Sequence, residues 1–229
     1  GQESFHKHFF PFTEGFVFAA PEIDAVKKAI HENTCAIMLE CIQGEGGVNI
    51  LSEAFVQGVA ALCKEHDLLL LVDEVQTGIG RTGALFAFEH YGIQPDVISL
   101  AKGLGGGLPI GACLCTEELK DVMGAGTHGS TYGGNPVVCA GANYVMEQVK
   151  QPAFLAEVTE KGDYLAEKAA ALPGVQSVRH KGLMIGIVLE KDNAKEVAKQ
   201  CLQHGLLVLT AKNDIRLLPP LTITKEEID

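Results

Sequence analysis

Apolar residues fall at helical spacing from Pro21 to Glu32, with Ile23, Val26 and Ile30 on one side, and Pro21 suits a first helical turn. Ala36 to Ile42 is an apolar run of strand length, followed by the Gly-rich turn Gln43–Gly47. Ser52 is placed to cap a helix reaching His66, whose Phe55, Val56, Val59 and Leu62 share a face. Leu68 to Val72 is apolar without interruption, the pattern of a strand covered on both faces. A short helix at Phe86–Tyr91 and further buried strands at Asp96–Leu100 and Ala112–Cys115 follow. Short links between strand, helix and strand predict an α/β domain with a mostly parallel sheet and helices on both faces.

Beyond Pro136 the texture changes. Val137–Lys150 and Ala153–Leu172 read as long helices split by Pro152. Short strands are expected at Gln176–Val178, Met184–Glu190, Leu207–Leu209 and Ile215–Leu217, with a helix over Ala194–His204. This reads as a large domain over residues 1–150 and a smaller α+β domain over 151–229. The first twenty residues, rich in Phe, Pro and Gly, read as an irregular or edge segment.

Composition narrows the function classes. The 229 residues are 47 % apolar and 21 % charged, which excludes a disordered chain. With 18 Lys+Arg against 29 Asp+Glu, the net charge of −11 repels a phosphate backbone, so nucleic acid is not an expected partner. No apolar run approaches the ~20 residues of a membrane helix, so no membrane partner is expected. The start is polar, without an apolar signal region. Seven cysteines, odd in number and without a framework, fit reduced thiols in a cytoplasmic protein.

Candidate chemistry sits at strand ends. Asp73 closes the Leu68–Val72 run, where parallel sheets bind ligands. A Walker B role would need a GxxxxGK[ST] partner, which the chain lacks. Gly78-Ile79-Gly80-Arg81-Thr82-Gly83 matches GxGxxG, but it neither leaves a strand directly nor opens a long helix, so it reads as a tight loop over a site. Lys102 follows a second buried strand and precedes Gly103-Leu104-Gly105-Gly106-Gly107, where desolvation can activate an amine as a nucleophile. A strand-end Asp and a strand-end Lys are the minimum set for pyridoxal phosphate chemistry: an amine for the Schiff base and a carboxylate for the pyridinium nitrogen. Cys113-Leu114-Cys115 has no second pair, and His6 and His8 no third ligand, so no metal site is expected.

The stretches GFVFAAPEIDAVKKAI, LECIQGEGGV, LLLVDEVQTGIGRTG, PDVISLAKGLGGGLPIGA, GTHGSTYGGNP and IRLLPPL together resemble the class-III, fold-type I pyridoxal-phosphate aminotransferases over nearly the whole chain. The resemblance implies pyridoxal 5'-phosphate as cofactor and a homodimer. It implies Lys102 as the Schiff-base lysine, Asp73 on the ring nitrogen, Val75 under the ring and Gln76 near the ring hydroxyl. Thr131 would reach the cofactor phosphate of the other subunit, with Ser130 near the substrate. Arg216 would hold the α-carboxylate of 2-oxoglutarate, and Glu45 would pair with Arg216 when an ω-amino donor occupies the site. That pairing has physical sense: one site must accept both a cationic reacting end and an α-carboxylate. The implied reaction transfers an ω-amine, that of N2-acetyl-L-ornithine, to 2-oxoglutarate, a step of arginine biosynthesis. Ornithine, N-succinylornithine and 4-aminobutyrate are rival donors. A rival of another class is an inactive cofactor-binding or dimerising fragment, because the chain starts well into the family pattern and stops before its last helix. Cys41 stands where the family commonly has Pro, an expected harmless packing change.

Overall fold

The computed structural model describes residues 6–229. From Lys7 to Ala20 the side chains are exposed and form no strand, consistent with the irregular segment expected there. Helix α1 spans Ile23–Ala29. Strand β1 (Ala36–Leu39) stops short of the expected Ile42, because the chain bends at Glu40–Cys41 and re-enters as a hairpin of β2 (Ile42–Gln43) and β3 (Asn49–Ile50). The bend is pinned by the Cys41 carbonyl, which accepts from Leu51 N at 3.1 Å, with Tyr91 Oη 3.2 Å away. Cys41 itself is fully buried, and burial pushes its thiol up to about 12. It fills the core where a proline was the family expectation.

Helix α2 (Glu53–Glu65) starts as the cap predicts: Ser52 Oγ accepts from Phe55 N. It buries Val56, Val59, Leu62 and Cys63 against the first sheet. That sheet runs β1-β4-β5-β6, with β4 at Leu69–Asp73, β5 at Val97–Leu100 and β6 at Ala112–Cys115. β1, β4 and β5 are parallel. β6 runs antiparallel at the edge, and Cys113, Leu114 and Cys115 are exposed, so the buried strand expected there is corrected to an edge strand. Apolar composition alone does not distinguish a central strand from an edge strand. β4 alternates too: Leu70 and Val72 are buried towards α2, whereas Leu69, Leu71 and Asp73 face the other side and are half-buried. The unbroken apolar run hid that alternation.

Helices α3 (Pro136–Val149) and α4 (Pro152–Ala170) follow, each with proline in its first turn. Asn135 caps α3 by accepting from Val137 N and Val138 N. A second, antiparallel sheet has the order β7-β8-β10-β9: β7 Val175–Lys181, β8 Met184–Leu189, β9 Leu209–Ala211 and β10 Asp214–Leu217. β9 starts at the last residue of the expected Leu207–Leu209 strand, because its register is set by the tight turn to β10, Asp214 opposite Ala211, and Leu207 is left exposed. Helix α5 (Ala194–Gln203) and α4 pack on this sheet around Ile185, Ile187 and Ile215. A short helix α6 (Lys225–Ile228) closes the described chain with a capping box at Thr224. No helix among the described residues is long and apolar enough to cross a membrane.

Among the contacts that bring the halves together are a small apolar core and a close backbone approach. Ile42, Val48 and Met184 form a small core between the β2–β3 hairpin and the second sheet. The turn at Gly182, φ +52°, is wedged between the Arg81–Gly83 backbone and α4: a Cβ on Gly162 would fall 2.1 Å from Gly182 O. Both glycines are required by close backbone approach.

Candidate active site

The carboxyl ends of β1, β4 and β5 form one edge, and the register carries Glu40, Asp73 and Ser99 side by side along it. Asp73 Oδ1 accepts from Val75 N at 2.9 Å and from Ser99 Oγ at 3.0 Å. Both bonds go to one oxygen, so Oδ2 is left for a ligand donor. Glu74 points the opposite way and is buried; burial raises its pKa. It accepts from Thr77 Oγ1 and from Phe88 N at 2.9 Å, anchoring the strand end to the 3-10 turn Ala87–Tyr91.

Lys102 opens a 3-10 turn, Lys102–Gly105, separated from β5 by Ala101 alone. Its φ is +45°, and the facing loop residue Ile79 has φ +55°. Left-handed backbone at a lysine and at a β-branched residue is strained, and such strain collects at functional sites. Lys102 is exposed in this chain, which corrects the expectation of a desolvated amine; placement and backbone, not burial, mark it out.

A cavity of about 330 Å³ joins these elements, lined by Glu45, Val75, Gln76, Lys102, Arg81 and Arg216 among others. Arg216 comes from β10 and is only 7 % exposed. Its Nη1 donates to Glu45 Oε1 at 2.7 Å, and Gln76 Nε2 donates to the same oxygen at 3.0 Å. The Arg216 bond holds the Glu45 carboxyl below the usual carboxylate range, against a smaller opposing effect of burial. The Glu45 side chain is 49 % exposed, so the arginine is the buried partner and the glutamate the solvent-facing one. Gly44 permits the arrangement, since a Cβ there would lie 2.2 Å from Gln76 Oε1. Arg81 donates to the carbonyls of Pro219 at 2.6 Å and Leu183 at 3.2 Å, and burial pulls its guanidinium down to about 10.

The structure thus brings Glu45, Val75, Gln76, Lys102 and Arg216 around one cavity, with Asp73 at the adjoining strand end. Ser130 and Thr131 lie apart from it, in the exposed stretch before α3. Three neighbours escaped the sequence reading: Glu40, Ser99 and Arg81. Glu40 carried the same signal as Asp73, an acid closing an apolar run, but was masked by the longer strand expected there. Burial raises the Glu40 pKa, with neighbouring Asp73 adding to the rise.

An apolar side chain, a carboxamide and a primary amine around one cavity, with a carboxylate of one committed oxygen at the adjoining strand end, fit the ring face, ring hydroxyl, aldehyde and cationic ring nitrogen of pyridoxal phosphate.

Comparisons with known proteins place the chain in a family. The aminotransferase class-III family model matches residues 13–229. The acetylornithine aminotransferase of Haemophilus ducreyi is 49 % identical over the whole chain, which covers 59 % of that protein. The ornithine aminotransferase of Toxoplasma gondii superposes with a TM-score of 0.92 at 32 % identity, over 99 % of this chain and 56 % of that one. N-acetylornithine aminotransferase of Stenotrophomonas maltophilia gives 0.82 at 35 %, over 91 % and 57 %. The chain spans about three fifths of the length of the curated relatives it matches. With the family pattern covering all but its first twelve residues, the chain belongs to the class-III aminotransferases.

Proposed function

We propose that the protein to which this chain belongs transfers the δ-amine of N2-acetyl-L-ornithine to 2-oxoglutarate, giving N-acetylglutamate semialdehyde and glutamate. The Glu45–Arg216 pair carries this reading. A buried guanidinium binds the α-carboxylate of 2-oxoglutarate or glutamate, and a solvent-facing carboxylate neutralises it when the donor presents an amine instead. The identity to acetylornithine aminotransferases supports the choice of donor.

In this proposal Asp73, Val75, Gln76 and Lys102 hold pyridoxal 5'-phosphate. When bound, the cofactor supplies an electron sink for charge developing on the amine-bearing carbon. Asp73 Oδ2 keeps the proton on the nitrogen placed against it, while Ser99 and the Val75 amide fix the carboxylate's orientation. Lys102 Nζ moves the proton off the amine-bearing carbon. Arg216 orients the keto acid, and Glu45, with Gln76 beside it, holds Arg216 while the amine donor occupies the site. Thr131 and Ser130 are assigned to a second subunit's site in a homodimer, and the setting to the cytoplasm; their exposed position leaves them available to a neighbouring chain.

The test is a donor panel on the full-length holoenzyme: N2-acetylornithine, ornithine, N-succinylornithine and 4-aminobutyrate, each with 2-oxoglutarate. The expected result is the highest kcat/KM for N2-acetylornithine. A higher value for another donor reassigns the substrate, and cofactor binding without turnover of any donor overturns the enzymatic reading.

A further inference from the structure

Gly186 is the midpoint of a transverse row in the second sheet. Its register partners are Arg179 on β7 and Arg216 on β10. Directly paired residues in antiparallel strands share a face, so both arginines flank the glycine on the same side. The turn Gly44–Val48 rests on that side: a Cβ on Gly186 would come 2.9 Å from Gly47 O and 3.0 Å from Val48 Cβ. The arginines grip the turn from its two ends. Arg216 Nη1 holds Glu45 Oε1 at 2.7 Å, and Arg179 Nη2 holds Gly47 O at 2.6 Å. Arg179 Nη2 also pairs with Asp214 Oδ2, on the same strand as Arg216 and two residues before it, hence on the same face. The turn has little room to shift. Gly47 has φ +106°, and a Cβ there would lie 2.6 Å from Asp214 Oδ2; Val48 has φ +55° and is fully buried with Ile42 and Met184.

We propose that Arg179 is a positioning residue for the Glu45–Arg216 pair. By tying the Gly47 carbonyl to Asp214, it fixes the backbone of the turn against the strand that carries Arg216. Glu45 then leaves Arg216 by side-chain rotation alone and returns to the same place. A fixed turn keeps the Glu45 carboxylate at high local concentration beside a buried guanidinium that must be neutralised. Loosening the turn lowers that concentration, so Arg216 is unmasked when an amine donor arrives. The acceptor, which brings its own carboxylate, loses nothing by this. The inference rests on the reading of Glu45 as the mask of Arg216.

The experiment compares Arg179→Gln, Glu45→Ala and the double variant in the full-length holoenzyme, with the two half-reactions measured separately. Arg179→Gln is expected to lower kcat/KM for the N2-acetylornithine half-reaction about tenfold, the loss from one charge-assisted hydrogen bond. The 2-oxoglutarate half-reaction should change little or improve. Arg179→Lys should recover part of the loss. On the Glu45→Ala background Arg179→Gln should add no further loss, because the mask it positions is gone. Independently of activity, amide hydrogen exchange at Gly47 and Val48 should quicken in Arg179→Gln while exchange in α2 does not. If Arg179→Gln fails to fold, Asp214→Asn cuts the same tie from the strand side and should give the same pattern. Equal losses in both half-reactions, or losses that add to those of Glu45→Ala, overturn the inference alone. If Glu45→Ala itself slows both half-reactions alike, the masking reading falls and the inference with it.

Discussion

Ser99 donates its hydroxyl to Asp73 Oδ1 across two parallel strands, at 3.0 Å, in the register row where β4 ends and one residue before the end of β5. The bond fixes the carboxylate's rotation and leaves Oδ2 as its open face. Asp73→Asn should therefore keep the fold and retain cofactor binding. It should cut turnover by roughly 10²–10⁴-fold, the range for a lost proton-holding group. Near-normal steady-state rates in the variant would remove Asp73 from the mechanism. Ser99→Ala should show a smaller loss of the same kind.

Lys102→Ala should abolish transamination in the full-length enzyme. Lys102 lies just past the end of β5, after Ala101, and lines the cavity. Borohydride reduction of the holoenzyme followed by peptide mass analysis should place the label on Lys102. A label on any other lysine would reassign the nucleophile.

Glu45→Ala should slow the half-reaction with the ω-amino donor and spare that with 2-oxoglutarate, because it leaves Arg216 without its carboxylate partner. Use of glutamate as donor should rise. Stopped-flow absorbance of each half-reaction separates the two effects. Since Glu45 is held below the ordinary carboxylate value of 4.5, the mask is lost only as pH falls through that lowered value. Donor selectivity should therefore be flat from neutral pH down to about 5.

Glu40→Gln should raise thermal stability at neutral pH. Burial, with Asp73 alongside, raises the Glu40 pKa above 4.5, so the folded protein binds this proton more tightly than the unfolded chain. The stability the group contributes is complete below its unfolded pKa and is lost as pH rises through the folded one. The gain from Gln should accordingly appear at pH 7 and vanish near pH 4. Its amide oxygen still accepts from the Gly44 N–H. Melting curves of the two proteins against pH decide the matter, and a less stable variant at pH 7 would refute it.

Gly162→Ala should destabilise by about 1–3 kcal/mol, as overpacking does, because the new methyl would meet the Gly182 backbone rather than a side chain that can yield. Denaturant midpoints of the two proteins measure it. An unchanged midpoint would mean that α4 and the Gly182 turn separate at no cost.

The legible parts of this chain are those written locally. The Ser52 cap, the strand-end Asp73 and the Lys102 that precedes a Gly-rich loop each carry their signal within a few residues. What stayed hidden depends on register between distant strands. Nothing near Arg179 announces Gly47, 132 positions away, or that Gly186 lies between two arginines. β6 was misjudged for a related reason: Ala-Cys-Leu-Cys is apolar at the edge of a sheet as it would be at the centre. Glu40 was missed because a chain bend at Cys41, fixed by Leu51 across the β2–β3 hairpin and by Tyr91 fifty positions on, ended the strand early.

The packing around that bend also turns the chain's thiols into a clock. Cys35, Cys113 and Cys115 are exposed, whereas Cys41 and Cys63 are buried with their thiols pushed up to about 12 and about 11. Only a thiolate attacks an alkylating reagent, so at pH 8 the exposed three should be consumed promptly and the buried two should wait. Cys63 lies on the buried face of α2 and Cys41 beside the Tyr91 turn, both in the core against the first sheet. Their modification rate therefore counts how often that layer opens, and reads the local opening free energy beneath the carboxyl edge of the first sheet.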